Sequence, residues 1–222
     1  MPPRRSADVL HNLLGRLLRL RGFRRHSGSF VLQTRPELSL TIKPNSGTQV
    51  LMPTLWIMAV GQASAVRAGA LGLPLALSAF HRPEEAQVSA SAYRKAFRPS
   101  SRPGLPPTPK LFVALRVTSA PSHSEAERLA MPMRWAFEQR RRFNVMPQCL
   151  PGVEEAIELA GGVWPAESND WPMYTVSALT DLRSRLMRMG EACGADEIMM
   201  QDVIPDPKRR LEHYHDVARC FA

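Results

Sequence analysis

The chain reads as an α/β protein, a parallel β-sheet covered by helices. From residue 51 onward, short apolar runs alternate with helical stretches, strand then helix, again and again. The runs are continuously apolar, as expected of strands buried on both faces. The junctions are short and marked by Gly and Pro, and this alternation is the sequence form of a parallel sheet with crossover helices.

Residues 8–20 place apolar side chains at 9, 10, 13, 14, 17 and 18, a helical spacing with Ser6 or Asp8 as N-cap. The segment is basic and amphipathic, so it suits a membrane surface or a transit peptide; packing against strands is the commoner use of such a stripe. Residues 21–50 carry little periodicity and read as an irregular connector. The first strand is Leu55-Trp-Ile-Met-Ala-Val60, followed by an alanine-rich helix to Leu71. Gly72-Leu-Pro74 turns the chain into a second strand over residues 75–79. Arg82-Pro-Glu-Glu-Ala opens a helix to about Phe97, with proline and acids in its first turn. A Pro-rich linker spans residues 99–109, the third strand residues 111–117, and the third helix residues 124–142.

Residues 143–173 break the rhythm and leave room for one short helix at 153–159. A helix follows from about Val176 to Ala192, with Gly194 placed to end it. The fourth strand covers residues 195–201, and Asp206-Pro207 supplies an N-cap and N1 proline for a last helix to about Phe221.

The formal net charge of +9 is uneven. Residues 1–50 hold nine Lys/Arg against Asp8 and Glu37, so the other 172 residues carry only +2. A nucleic-acid interface would need a basic stripe on the folded part, and none is evident. The longest apolar run, about residues 51–60, has the length of a strand and not of a membrane span. Cys149, Cys193 and Cys220 form no CxxC pair, so neither zinc nor a disulfide framework is indicated. A cytoplasmic protein with reduced thiols is the expectation.

Three stretches together resemble the luciferase-like, flavin-dependent monooxygenase family. Pro53-Thr-Leu-Trp-Ile-Met-Ala-Val-Gly-Gln-Ala-Ser-Ala65, with Ala70-Leu-Gly-Leu-Pro74, is similar to the family's Pro-x-x-x-Leu-Gly-Ser-Ser element and Gly-Leu-Pro. Tyr93-Arg-Lys-Ala-Phe-Arg-Pro-Ser100 is similar to its Tyr-Arg-x-x-Phe-x-Pro-Ser helix end. Gly194-Ala-Asp-Glu-Ile-Met-Met200 is similar to Gly-Ala-Asp-Glu-Leu-Met on its eighth strand. The order and spacing of the three make the match more specific than any one of them.

The resemblance implies a partial TIM (β/α)8 barrel, strands five to eight with their helices, over residues 51–222. Residues 1–50 form the basic helix and connector before it, and residues 8–20 take the place of the helix after strand four. Strands one to four are expected to be missing. A luciferase-like monooxygenase would use reduced FMN and molecular oxygen on a small organic substrate, with deazaflavin the nearest alternative cofactor and a flavin reductase as supplier. Four strands leave two open edges, so a homo- or hetero-dimer is expected. The competing expectation is an inactive fragment or non-catalytic subunit of such a barrel. Neither a nucleic acid nor a membrane is expected as partner.

The sequence departs from the family pattern in places. Ala59-Val60-Gly61 stands for Gly-Ser-Ser, and Phe80 for a frequent histidine, with His81 one place on. Trp171-Pro-Met-Tyr-Thr-Val176 keeps only Thr-Val of the helix entry before strand eight.

Gly61, Gln62 and Ser64 follow a strand at the end where barrel active sites are built. Backbone N–H groups there and the Ser64 hydroxyl suit a flavin phosphate; Gly61 as a turn residue and Ser64 as an N-cap suit the same positions equally. His81 is a candidate to line the pocket or move a proton, or an exposed loop histidine. Arg116 is a candidate for a flavin phosphate or substrate anion, or a charge reaching out of an incomplete barrel. Asp202 is a candidate of the same kind. His213 and His215, two apart on a helix, point to different sides and cannot share one metal ion, so a solvated helix is expected. Arg140-Arg-Arg142 reads as a solvated helix end, and no Ser–His–Asp arrangement is apparent. The apolar inner face of the open sheet is expected to carry Ile57, Leu75, Val113 and Ile198, or their alternating neighbours.

Overall fold

The computed structural model describes residues 55–102 and 104–222. The helix expected at residues 8–20 and the connector at 21–50 lie outside them. Five strands form one sheet: β1 (Ile57–Ala59), β2 (Leu75–Ser78), β3 (Leu111–Ala120), β4 (Thr175–Ala178) and β5 (Glu197–Gln201). The helices are α1 (Gln62–Ala70), α2 (Ala86–Ala96), α3 (His123–Phe143), α4 (Val153–Ala160), α5 (Leu179–Cys193) and α6 (Pro207–Phe221). A 3-10 turn, Pro83–Glu85, precedes α2. Every strand pairing is parallel, in the order β1-β2-β3-β4, with β5 also on β3.

The sequence reading missed one strand. Thr175–Ala178 is β4, where a helix was expected from Val176, and α5 begins only at Leu179. The cause is β3, which runs to Ala120 and not to Val117, so that Val117–Ala120 offers a backbone edge to Thr175–Ala178. A local pattern of four small residues ahead of a helix carries no sign of that distant partner.

Alternation along the strands separates two faces. Ile57 and Ala59 of β1, Leu75 and Leu77 of β2, Leu111, Val113, Leu115 and Val117 of β3, and Ile198 and Met200 of β5 join the core beneath the helices. Ala65 and Ala68 of α1, Tyr93 of α2, and Leu182 and Leu186 of α5 close it from the other side. This corrects one of the two alternatives for the open face: Ile57, Leu75, Val113 and Ile198 lie under the helices. Their neighbours Met58, Phe112, Ala114, Arg116 and Met199 take the opposite face. Met58 and Met199 are exposed there, and Trp56 stacks near Phe112 with centroids 4.9 Å apart.

Two of the three stretches that carry the family resemblance, with the Gly-Leu-Pro turn at Leu73, meet at the start of β3. The Tyr93 hydroxyl reaches the carbonyls of Leu73 (3.1 Å) and Lys110 (3.0 Å) and accepts from the Lys110 N–H. Arg94 donates to the carbonyls of Cys193 and Gly194. Gly194 ends α5 in the left-handed region (φ 56°), and Asp196 accepts from the Leu111 N–H (2.8 Å) and from Lys110 Nζ (3.1 Å). These residues tie α2, α5 and β5 to one strand end. No helix among the described residues is long and apolar enough to cross a membrane.

Helices α1 and α2 touch through their backbones at Gly69, whose carbonyl accepts from the Arg98 N–H at 2.9 Å. A Cβ there would lie 2.5 Å from the Tyr93 carbonyl oxygen and 3.1 Å from the Phe97 nitrogen. Both neighbours are backbone, so the clash is relieved only by moving a helix. Gly69→Ala should therefore cost about 1–3 kcal/mol in urea unfolding. A loss below about 0.5 kcal/mol, the range of neutral surface changes, would show that the helices part freely.

Candidate active site

The C-terminal ends of β2, β3 and β5 converge on a buried arginine. Arg116, on the open face of β3, is 5% exposed. Its guanidinium carbon sits 4.3 Å from the centre of the Phe80 ring, 4.2 Å from that of Phe137 and 5.3 Å from that of Tyr174. Parallel pairing sets Arg116 beside Gln201 of β5, and Arg116 Nε donates to Gln201 Oε1 at 3.0 Å. Cation–π contact is favourable when the cation is desolvated, but it supplies no counter-charge. Among the described residues Arg116 forms no ion pair. Burial lowers its pKa, yet a guanidinium stays protonated in proteins.

Tyr174 is held in place by the segment leading to β4. Arg134 of α3 donates to the carbonyls of Trp164 (2.7 Å) and Pro165 (2.8 Å), and Glu127 accepts from the Ala166 N–H (2.7 Å). The Tyr174 ring packs edge-on to Phe137 (6.4 Å), and its buried hydroxyl meets no hydrogen-bond geometry with the described residues. Burial raises its pKa, outweighing the opposing pull of Arg116 and Arg134, so the phenol is a neutral donor at ordinary pH.

His81 follows β2 and packs beside Phe80 (4.4 Å). Its Nδ1 meets Ser78 Oγ at 2.8 Å, while its ring remains partly open to solvent. Burial, then the charges of Arg116 and Arg140, lower its pKa and favour the neutral ring. Sequence analysis singled out Arg116 and His81 separately, and the fold brings them to one cluster. Phe80, Phe137, Tyr174 and Gln201 were not identified as members of it. Phe80, just past β2, was the available signal.

Gly61, Gln62 and Ser64 lie on the same C-terminal edge of the sheet, at β1 and the first turn of α1. Gly61 is the N-cap and supplies no side-chain bond, so Ser64, an exposed helical residue, is not the cap. The first N–H groups of α1 therefore lack a capping side chain. A Cβ on Gly61 would lie 2.8 Å from Glu85 Oε2, and Glu85 pairs with Arg82 at 2.9 Å. This ion pair, directly after His81, links the Gly61 turn to the end of β2.

Two expectations are corrected at α6. His213 is not solvated but 1% exposed, while His215 does face solvent. A Ser–His–Asp arrangement also exists: His213 Nδ1 bonds Asp202 Oδ2, and His213 Nε2 lies 2.9 Å from Ser119 Oγ and 3.0 Å from the Ser119 backbone nitrogen. Spacing hid it, because Ser119 is 94 residues away. The N–H of Ser119 already occupies Nε2, and Ser119 is itself buried, so no substrate reaches this hydroxyl. The trio fastens α6 to the ends of β3 and β5, and Asp202 acts there as a partner of His213 and not as a pocket residue. The basic end of α3 is exposed as expected, with Arg141 and Arg142 on Glu138.

A family model described as luciferase-like monooxygenase matches residues 2–183. A relative from Bacillus subtilis (strain 168), YceB, is 26% identical over 190 residues, covering 84% of this chain and 54% of that protein. A protein of Escherichia coli (strain K12) called luciferase-like monooxygenase is 28% identical over 177 residues, covering 78% of this chain and 50% of its own length. The crystal structure of apo-MsnO8 superposes with a TM-score of 0.70 at 29% identity, over 83% of this chain and 55% of that one. The chain thus spans about half the length of the relatives it matches.

Removing His213 would leave the Asp202 carboxylate, whose side chain is fully buried, without its partner. His213→Ala should cost about 3–5 kcal/mol in denaturant unfolding. Ser119→Ala, which keeps the backbone N–H bond, should cost only about 1 kcal/mol. Equal losses in the two variants would mean that the hydroxyl, not the hydrogen bond between His213 and Asp202, holds α6.

Proposed function

Because the chain belongs to the luciferase-like monooxygenase family, we propose that it forms the cofactor and substrate end of a flavin-dependent monooxygenase. In this reading β1, β2, β3 and β5 are strands five to eight of a (β/α)8 barrel. Residues 51–222 make that barrel part, and residues 1–50 the helix and connector before it. The observation that carries the reading is the clustering of donors at the C-terminal strand ends, where barrel sites are built.

The residues fit a flavin phosphate at α1. The N-terminal N–H groups have no side-chain cap, Gly61 leaves the approach free of a Cβ, and the Ser64 hydroxyl is exposed. Reduced FMN, with deazaflavin the alternative, would supply the electrons that activate molecular oxygen, one atom of which enters a small organic substrate. The protein's part is to bind, orient and exclude water. Phe80, Phe137 and Tyr174 give apolar walls, and Arg116 a fixed positive charge. His81, whose pKa is lowered by burial and by Arg116 and Arg140, has Nδ1 on Ser78, which leaves Nε2, unbonded to the described residues, to take a proton. A flavin reductase as supplier, a dimeric assembly and a cytoplasmic setting belong to the same proposal.

One observation favours a second reading. The Glu85 carboxylate beside Gly61 opposes a phosphate by like charge. A chain in which Glu85 keeps that place would bind no flavin and act as a non-catalytic subunit.

Titration of flavin fluorescence with the full chain decides between them. FMN should bind, and Ser64→Ala should weaken it by about 1–2 kcal/mol, the scale of one hydrogen bond to a charged group. Unchanged affinity in Ser64→Ala would move the phosphate away from α1. No saturable binding by the wild-type chain would leave the non-catalytic reading standing.

A further inference from the structure

The cluster around Arg116 contains more donors than the protein satisfies. Arg116 uses Nε on Gln201, and its guanidinium lies beside the Tyr174 hydroxyl, which can accept from it, while no carboxylate among the described residues pairs with it. The Tyr174 hydroxyl is likewise buried, and its own proton finds no acceptor among the described residues. A buried charge and a buried hydroxyl without partners are each costly, and native proteins leave few of them. Both donors stand at the margin of the open sheet face, which Met58, Met199 and Gln201 leave accessible.

We propose that Arg116 and Tyr174 form a subsite for a planar organic acid, whose carboxylate takes the free guanidinium nitrogens and the phenol hydroxyl. This rests on the reading of the site as the substrate end of a monooxygenase, and it names the class of that substrate. Charge and shape select the ligand together. A guanidinium edge presents paired donors to a carboxylate, and the two bonds fix its plane. The rings of Phe80, Phe137 and Tyr174 favour a flat, conjugated body over a compact, strongly hydrated ion. The carboxylates nearest to the Gly61 turn are engaged elsewhere, Glu85 with Arg82. At Arg116 itself no carboxylate among the described residues forms an ion pair.

Benzoate is the probe, benzyl alcohol its neutral counterpart, and inorganic phosphate the plain anion. Calorimetric titration of the full chain should show benzoate binding about tenfold or more tighter than benzyl alcohol. Arg116→Met should abolish this preference, Arg116→Lys should keep part of it, and Tyr174→Phe should weaken benzoate several-fold. NMR titration of His81 gives a second readout. The positive groups facing it are Arg116 and Arg140, and saturating benzoate should raise its titration midpoint while benzyl alcohol leaves it in place.

Equal affinities for the acid and the alcohol, or a benzoate affinity indifferent to Arg116→Met, would overturn the proposal. Phosphate that competes as strongly as benzoate would overturn it too, since the subsite would then take any anion. Loss of FMN affinity in Arg116→Met with benzoate unchanged would assign Arg116 to the flavin. Should Arg116→Met fail to fold, Arg116→Lys and Tyr174→Phe decide by the same comparisons. Absence of FMN binding with benzoate selectivity intact would defeat the monooxygenase reading and leave the acid subsite standing.

Discussion

Strand β3 is hydrogen-bonded to β2, β4 and β5, and the position of its first residue sets the register of all three. That first residue is fixed by a carboxylate. Asp196, at the head of β5, accepts from the Leu111 N–H and from Lys110, while Tyr93 of α2 closes around the carbonyl and N–H of Lys110. Arg94 adds the end of α5 to the same knot through the carbonyls of Cys193 and Gly194. In a parallel sheet a slip of one residue exchanges the two faces. Here a slip would turn Leu111, Val113 and Leu115 away from the helices and put Arg116 into the apolar core. The cost of burying that charge without a partner makes register and site one problem.

The two ends of β3 divide the labour. The N-terminal end holds the residues by which the sequence resembles its family: the Tyr93-Arg94 pair and Gly194-Ala-Asp196. The C-terminal end carries Arg116 among its aromatic rings, with His81, Tyr174 and Gln201 around it. The Tyr93-Arg94 and Gly194-Ala-Asp196 motifs are thus devices of assembly, while the stretch that holds Gly61 and Ser64 lies at the opposite edge of the sheet. The groups fit to meet a ligand are placed by them from a distance. Barrel enzymes commonly keep stability at one end and chemistry at the other, which lets ligand-facing residues change while the fold persists.

Local signals reached the elements well and the contacts poorly. Apolar runs revealed β1, β2, β3 and β5, and among them β2 and β3 are the strands buried on both faces. The Asp206-Pro207 start of α6 was legible because a cap is a local device, and the Asp206 side chain does accept from the Arg209 N–H. Strand β4 was not legible: its four residues are extended only because β3 outruns its other neighbours. His213 was misjudged from its spacing to His215, since its burial comes from Ser119 and Asp202 on other elements. Arg116 was legible as a polar residue near the end of a strand and His81 as one past a strand end, but the aromatic walls that unite them come also from α3 and the segment before β4. Ser64 was placed at the right edge of the sheet, and the fold withdraws its capping role in favour of Gly61.

The claim that the knot at Asp196 sets the fold while the far end of β3 meets ligand is open to one direct measurement. Burial alone would raise the Asp196 pKa, but hydrogen bonds from Leu111 and Lys110 and the charge of Arg94 hold it below the ordinary carboxylate value. A folded pKa lower than the unfolded one contributes stability above the unfolded value near 4, and that contribution fades as pH falls through the folded one. Thermal unfolding of wild type and Asp196→Asn from pH 7 to pH 3, with benzoate affinity measured at pH 7 well below the transition, reads both halves of the claim. The account predicts a lower midpoint for Asp196→Asn at pH 7, a gap that narrows toward pH 3, and unchanged affinity. Equal midpoints at pH 7, or an intact fold with lost affinity, would contradict it.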